Sequence, residues 1–315
     1  MFDNIKKLQF IRNSGFSSLA SQQGEELINK QGNINIKRKG QFFWNAFSAY
    51  HFLIDLNWAW FSLVVLLFFI LINIIFTSLY IAIGVHQLAG LVSQKTPEMW
   101  VDIFAFSAQT ITSVGYGRIN PIGMGASLIA SLEALIGLAS FAILTGLIYG
   151  RFSKPKINLI FSKNILISPF NEGKALMFRL VNSKNNQLID CEGSLMMSYV
   201  DLKKNVRRFI NLELDIKKVS SIAFGWTVVH VINEQSPLFN INEQDDLVSN
   251  KTAFIFIFKA FDQTYAQTVY TRHSFSAEKL LWNAKFKPMY DRSDDNKKTI
   301  LDLRKINLHE SIEMN

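Results

Sequence analysis

Three scarcities bound this chain of 315 residues before any motif is read. Cysteine occurs once, at Cys191, so no disulfide can form within the chain, which fits a reducing compartment. Charge is thin: 18% of residues are charged against 49% hydrophobic, and none lies between Asp55 and Lys95. That balance is too apolar for a soluble protein and too polar for one embedded throughout. The expectation is a membrane part joined to a water-exposed part. An apolar leader is also missing: Met1 to Gly40 is polar and mixed in charge, without the hydrophobic region of a cleaved signal. No nucleophile–base pair, metal-ligand cluster or phosphate loop stands out, so the sequence offers no support for an enzyme.

What is present begins with a polar arm, residues 1–40, ending in Lys37, Arg38 and Lys39. In "QFFWNAFSAYHFLIDLNW", Phe43, Trp44, Phe47, Tyr50 and Ile54 recur at spacings near three and four, as in a helix lying in a membrane interface. Trp60 to Gly84 is nearly all apolar and long enough to span a bilayer, with Trp58, Trp60 and Tyr80 as aromatics near its ends. A second span is expected over about Gly125 to Tyr149, with Glu133 as its one charge and Gly137, Ala139, Ser140, Ala142 and Gly146 keeping it slim. "RFSKPK" closes it, placing Arg151, Lys154 and Lys156 at the membrane edge.

The net charge of +8 takes its meaning from position. Basic residues flank the outer ends of the two-span unit, and only Lys95 and Arg118 lie between the spans. The bias places both termini in the cytoplasm and the charge against a membrane surface, not nucleic acid. From Ile157 onward the pattern changes to short apolar or alternating runs: "ALMFRLVN", "GSLMMSYV", "RRFINLEL", "WTVVHVIN", "AFIFIFKAF" and "YAQTVYTRHSF". Several short strands with regular turns predict a β-sandwich over residues 157–315, followed from about Arg292 by a polar extended tail.

Between the spans, "TPEMWVDIFAFSAQTI" predicts a short helix from Thr96 or Pro97, with Glu98 and Asp102 in or near its first turn. Ser113-Val114-Gly115-Tyr116-Gly117 follows. The segment is too short to cross a bilayer, but it can dip in and return. Irregular backbone at that depth is tolerated only when buried in protein or lining water. Glycines permit angles that point successive carbonyls to one side, where they can ligate a cation, while Tyr116 points away and holds the strand by packing. One strand supplies part of each carbonyl ring, so the pattern calls for an oligomer around an axis.

"TSVGYG" between two spans resembles the potassium-channel filter signature T-x-G-Y-G. "GWTVVHVINEQSPLF", "TYAQTVYTRHSFSAEKLLWNAKF", "RFSKPK" and the interfacial helix resemble the inward-rectifier potassium channels from about Gly40 to Tyr290. Asn73, Phe76, Leu79 and Tyr80 match an N-x-x-F-x-x-L-Y pattern of the prokaryotic KirBac branch. The resemblance implies a homotetramer with a two-span pore domain (41–156) and a cytoplasmic immunoglobulin-like β-sandwich that regulates it. It implies a multi-pass cell-membrane protein, in the bacterial inner membrane if prokaryotic. It implies K+ as permeant ion, no cofactor, and no metal beyond K+ in the filter Ser113, Val114, Gly115, Tyr116 and Gly117. Gly137 falls on the inner-helix hinge and Tyr149 on the bundle-crossing gate, with Phe141, Thr145 and Tyr149 on one helix face. Phe141 stands where strong rectifiers carry an acid, so strong rectification is not expected. Lys37, Arg38, Arg151, Lys154 and Lys156 are candidate ligands for anionic phospholipid.

Three departures matter. Ser113 replaces the usual threonine, Gln109 replaces a pore-helix glutamate, and Arg118 replaces an acid after the filter. A ring of Arg118 would repel potassium, so a non-conducting membrane-anchored binding protein that kept the channel fold stands as the alternative. Glu133 is expected to be a buried hydrogen-bond acceptor behind the pore helix and, with Gln109, to support the filter. His230 and His273 read as sandwich residues, and His51 as an interfacial histidine. "GMGASL" lacks the last glycine of a dinucleotide-binding loop and opens a membrane span.

Overall fold

The computed structural model describes residues 48–312, except 93–94, 156, 185–186, 203–205, 223, 242–243 and 293–298. Lys37, Arg38, Lys39, Phe43, Trp44, Phe47 and Lys156 therefore lie outside the described residues. Two compact units divide the chain, one ending at Lys154 and the other starting at Pro155.

The first unit is helical. Ser48 caps a short helix, α1 (Ala49–Asp55). Asn57 then starts α2 (Trp58–Ile83) by accepting the Trp60 N–H at 2.9 Å, and Gly84, at φ +104°, ends it. α3 (Thr96–Ile111) has Pro97 and Glu98 in its first turn, where a missing N–H and a negative charge are both favourable. α4 (Met124–Phe152) completes the unit. At 26 and 29 residues, α2 and α4 extend about 39 and 43 Å, beyond the roughly 30 Å of bilayer hydrocarbon. Leu66, Leu67, Phe68 and Leu71 on α2 are exposed, as a lipid-facing surface requires. Trp58 and Trp60 are exposed near one end of α2, but Tyr80 corrects the expectation of an interfacial aromatic at the other. It is fully buried, because its hydroxyl has a carboxylate partner inside the unit.

Two short strands fasten the loops. β1 (Leu88–Ala89) pairs antiparallel with β2 (Asn120–Pro121), joining the chain after α2 to the chain before α4.

The second unit is two five-stranded sheets over one apolar core. One sheet orders β11 (Gln267–Ser276), β10 (Ala253–Asp262), β6 (Leu188–Asp201) and β7 (Val206–Leu212), with β8 (Lys218–Ser221) also on β6. The other orders β12 (Leu280–Trp282), β4 (Ile165–Phe170), β5 (Gly173–Asn182) and β3 (Leu159–Phe161), with β9 (Trp226–Ile232) also on β5. Period-two alternation drives the assembly. On β10, Phe254, Phe256 and Phe258 enter the shared core, while Ile255 packs with Met196 and Phe209 on the opposite face. Cys191 is buried in that core with its thiol donating to the Leu188 carbonyl, and burial pushes its pKa up to about 11.

The expected tail past Arg292 is not wholly extended. β15 (Thr299–Leu301) pairs with β14 (Tyr290–Arg292), and β16 (His309–Ser311) pairs with β13 (Ala284–Phe286). Ile306 is buried between them beside Val181 and Met289. The polar composition concealed Leu301, Leu303 and Ile306, which anchor the segment.

His273 stacks flat on Phe161, centroids 4.3 Å apart, and burial aided by Lys279 pushes its pKa down to about 4. An unfolded histidine takes its proton near 6.5. As pH falls from 6.5 towards 4 the unfolded chain therefore gains a proton that the folded chain refuses, and stability drops. His273→Phe keeps a ring on Phe161 and removes the titration. Chemical denaturation of the full chain at pH 7 and 4.5 should show an acid loss smaller by about 2 kcal/mol in the variant. Equal losses in both proteins would rule out His273 as a source.

Candidate functional site

The S-V-G-Y-G turn is built on the end of α3. Ser113 N–H donates to the Thr110 carbonyl at 3.0 Å, and Val114 N–H to the Gln109 carbonyl at 2.9 Å. These paired bonds form a Schellman ending, whose first residue past the cap must adopt left-handed backbone. Ser113 does so, at φ +57°, at a cost of about 1–2 kcal/mol for a non-glycine. Gly115 and Gly117 repeat the left-handed conformation at φ +51° and +82°, whereas Val114 and Tyr116 do not share it. A Cβ on either glycine would meet nothing within 4 Å. They are glycines for backbone angle, not for room. Alternating handedness turns successive peptide planes so that carbonyls gather on one side, whereas an ordinary strand points them alternately. Tyr116 is 81% exposed, so it has little packing against the described residues of its own chain.

Past the turn, Arg118 donates to the Asp102 carboxylate on α3. Asp102 also accepts the Val92 N–H at 3.3 Å, and the guanidinium holds its carboxyl below the usual carboxylate range. Gly90, at φ +88°, lies so close to Arg118 that a Cβ would come 1.8 Å from the Arg118 carbonyl oxygen. Gln87 caps α4 across 39 residues of sequence, its Oε1 accepting the Ala126 N–H at 3.1 Å. Its backbone carbonyl accepts from Ile122 and Gly123.

Behind the turn sits a buried polar network joining all three long helices. Glu133 on α4 accepts the Tyr80 hydroxyl of α2 at 2.7 Å. The Ser107 hydroxyl of α3 lies 2.5 Å from Glu133 Oε1 and 2.9 Å from Asn73 Oδ1, and it donates to one of them at a time. Asn73 in turn donates to the Phe69 carbonyl at 2.7 Å. Gln109 contributes to the turn through its carbonyl, which accepts from Val114 and, at 3.3 Å, from Gly115.

On α4, Gly137 faces α3 so closely that a Cβ would stand 2.0 Å from the Ile111 carbonyl oxygen. Gly137 lies inside an unbroken helix, and the geometry gives it a packing reason independent of bending. Phe141 and Tyr149 are exposed, as is Thr145, whose hydroxyl donates to the Phe141 carbonyl at 2.9 Å. Tyr50 and Ile54 of α1 lie against Gly150. Arg151 is committed locally: it donates to the Leu53 carbonyl, to the Ile54 carbonyl at 3.0 Å and to the Leu56 carbonyl at 2.7 Å, and stacks on Trp58 and Phe61. A cation on the last carbonyls of α1 is where the helix dipole favours it. Lys154 pairs with Asp55.

Sequence reasoning missed Ser107, Asp102 and Gln87 as members of the site. Asn73 and Tyr80 carried a readable signal, being seven residues apart and so on one face of α2. His230 and His273 belong to the second unit, and no group of His, Cys and acids there or elsewhere among the described residues could hold a metal.

Comparison with known proteins now adds to the geometry. Residues 159–315 match the inward rectifier potassium channel C-terminal domain family, and residues 64–154 match the ion channel family. The chain is 30% identical over 285 residues to inward rectifier potassium channel Kirbac3.1 of Paramagnetospirillum magnetotacticum, covering 89% of this chain and 94% of that protein. It is 24% identical over 257 residues to ATP-sensitive inward rectifier potassium channel 12 of Gallus gallus and 25% identical over 257 residues to inward rectifier potassium channel 18 of Homo sapiens. Those matches cover 75% of this chain, which spans 60% and 59% of the two animal proteins.

Proposed function

This chain belongs to the inward-rectifier potassium channel family, and we propose that four copies form a potassium-selective pore in a cell membrane. Ser113, Val114, Gly115, Tyr116 and Gly117 supply the filter. The observation that carries this reading is the alternating left-handed backbone of Ser113, Gly115 and Gly117 on the end of α3. A row of carbonyls on one side replaces the hydration shell of a bare cation when four rows meet. The exposure of Tyr116 supports the tetramer, since an aromatic ring in a filter needs a neighbour that the described residues of its own chain do not provide. Phe141, Thr145 and Tyr149 line the inner pore, with Tyr149 as the gate, Gly137 as the bending point and Phe141 unable to hold a blocking cation electrostatically. Both termini face the cytoplasm, where the second unit acts as an immunoglobulin-like regulatory sandwich. Its gating responds to anionic phospholipid at the basic membrane edge.

Arg151, tied to three carbonyls and two rings, serves that edge as a link between α1 and α4, leaving Lys154, with Lys37, Arg38 and Lys156, as the headgroup candidates. The non-conducting alternative rested on Ser113 and Arg118. Ser113 keeps a hydroxyl at the inner end of the filter, and Arg118 has a carboxylate partner.

Two measurements on purified protein test the reading. Liposomes loaded with potassium should take up rubidium, barium should block that uptake, and anionic lipid content should change its rate. Potassium should also raise thermal stability over sodium, by about 2.7 kcal/mol at a hundredfold excess over its dissociation constant. Barium-insensitive silence together with potassium-independent melting would refute the channel and leave the non-conducting alternative.

A further inference from the structure

The site's outer end carries a cation where conduction least tolerates one. Arg118 immediately follows the last glycine of the turn. Four unpaired guanidiniums at that level would lower the local potassium concentration, an effect that salt screens only partly near the protein surface. The chain answers with Asp102, which arrives from the first turns of α3, sixteen residues earlier. Asp102 is also fixed from a third direction, because Val92 donates its N–H to Oδ2 while Arg118 engages Oδ1. The Arg118 backbone is held as well: Gly90 approaches its carbonyl too closely for any side chain, and β1 pairs with Asn120 and Pro121 shortly beyond. Surface ion pairs of this kind contribute little to stability. Their arrangement matters here through the field, since a paired charge acts as a short dipole whose reach is far smaller than that of a lone cation.

We propose that Asp102 is a positioning residue of the conduction pathway, holding the Arg118 guanidinium on the pore helix and neutralising it, so that the outer mouth of the filter presents no net positive ring. The inference rests on the channel reading and deepens it, assigning to one carboxylate the reason this chain tolerates arginine after its filter. It also distinguishes Asp102 from Glu133, which lies behind the filter and accepts from two hydroxyls.

The test is barium-sensitive rubidium uptake by wild type, Asp102→Asn, Arg118→Gln and the double variant. Uptake is measured at about 0.01 M and about 1 M N-methylglucamine chloride, where charges are felt over roughly 30 and 3 Å. Asparagine keeps an acceptor for Val92 and removes only the charge. Asp102→Asn should lower uptake about fivefold at low salt, and high salt should close most of that gap. The double variant, with the same net charge as the wild-type pair, should return to the wild-type rate. Wild-type rates in Asp102→Asn at low salt would overturn the proposal. So would a loss that persists in the double variant or at high salt, since that pattern marks a purely structural carboxylate. If Asp102→Asn does not assemble, Asp102→Glu together with the double variant decides, because both preserve neutrality and both must conduct. Absence of barium-sensitive uptake in wild type is a separate result and refutes the channel reading itself.

Discussion

Gly137→Ala will disable the proposed filter turn while leaving α4 helical. The substitution looks mild, because alanine is the better helix former by about 1 kcal/mol and Gly137 lies well inside α4. A stiffer hinge alone would leave potassium binding untouched. The new Cβ, however, would stand 2.0 Å from the Ile111 carbonyl oxygen and 2.9 Å from its carbonyl carbon, backbone atoms that cannot swing aside. Ile111 is the last residue of α3, two positions before Ser113. Relief must come from moving the end of α3, and the paired bonds from Ser113 and Val114 back to Thr110 and Gln109 hang on that end. The expected result is assembled protein whose potassium-dependent rise in melting temperature is lost and whose barium-sensitive rubidium uptake falls by about a hundredfold or more, as a 1 Å misplacement can cause. Normal potassium dependence with altered gating would instead favour bending as the residue's main duty.

Glu133→Ala should be among the most destabilising single changes tested in the helical unit. Its carboxylate accepts from Tyr80 and from Ser107, fully buried groups on two different helices. Truncation strands the Tyr80 hydroxyl, leaves Ser107 only Asn73 Oδ1 to donate to, and opens a cavity. One orphaned buried hydroxyl costs about 1–3 kcal/mol and the cavity adds to it, so the assembled protein should lose roughly 3 kcal/mol. Glu133→Gln retains the volume and one acceptor oxygen and should lose about half as much. Thermal unfolding in detergent, followed by tryptophan fluorescence and by the retained oligomer on size exclusion, reads both. A change within about 0.5 kcal/mol for Glu133→Ala would mean that the network is ornamental.

The spans were legible because a bilayer imposes an unambiguous demand: some twenty apolar residues in a row, which few soluble helices imitate. The turn was legible because two glycines around a tyrosine have little use between spans unless the backbone itself is the functional surface. The strands were legible from alternation, as on β10, where three phenylalanines on one face announce a core. What escaped were contacts with no fixed spacing. Nothing in the sequence links Arg118 to Asp102 or Gln87 to Ala126, since chain reversals bring these residues together. Tyr80 was misjudged as interfacial because hydropathy records a tyrosine's place along a helix but not its face. The segment after Arg292 was misjudged because its three anchoring apolar residues are spread among charges.

The lone cysteine has a practical side. Cys191 is wholly buried and its thiol resists ionisation, so the thiolate that alkylating dyes require is scarce in the folded protein at neutral pH. The native chain is thus chemically silent towards maleimides without any residue being removed. Tyr270→Cys, at an exposed position of β11, becomes an address for one fluorophore or spin label per subunit, and the natural background needs no preparation.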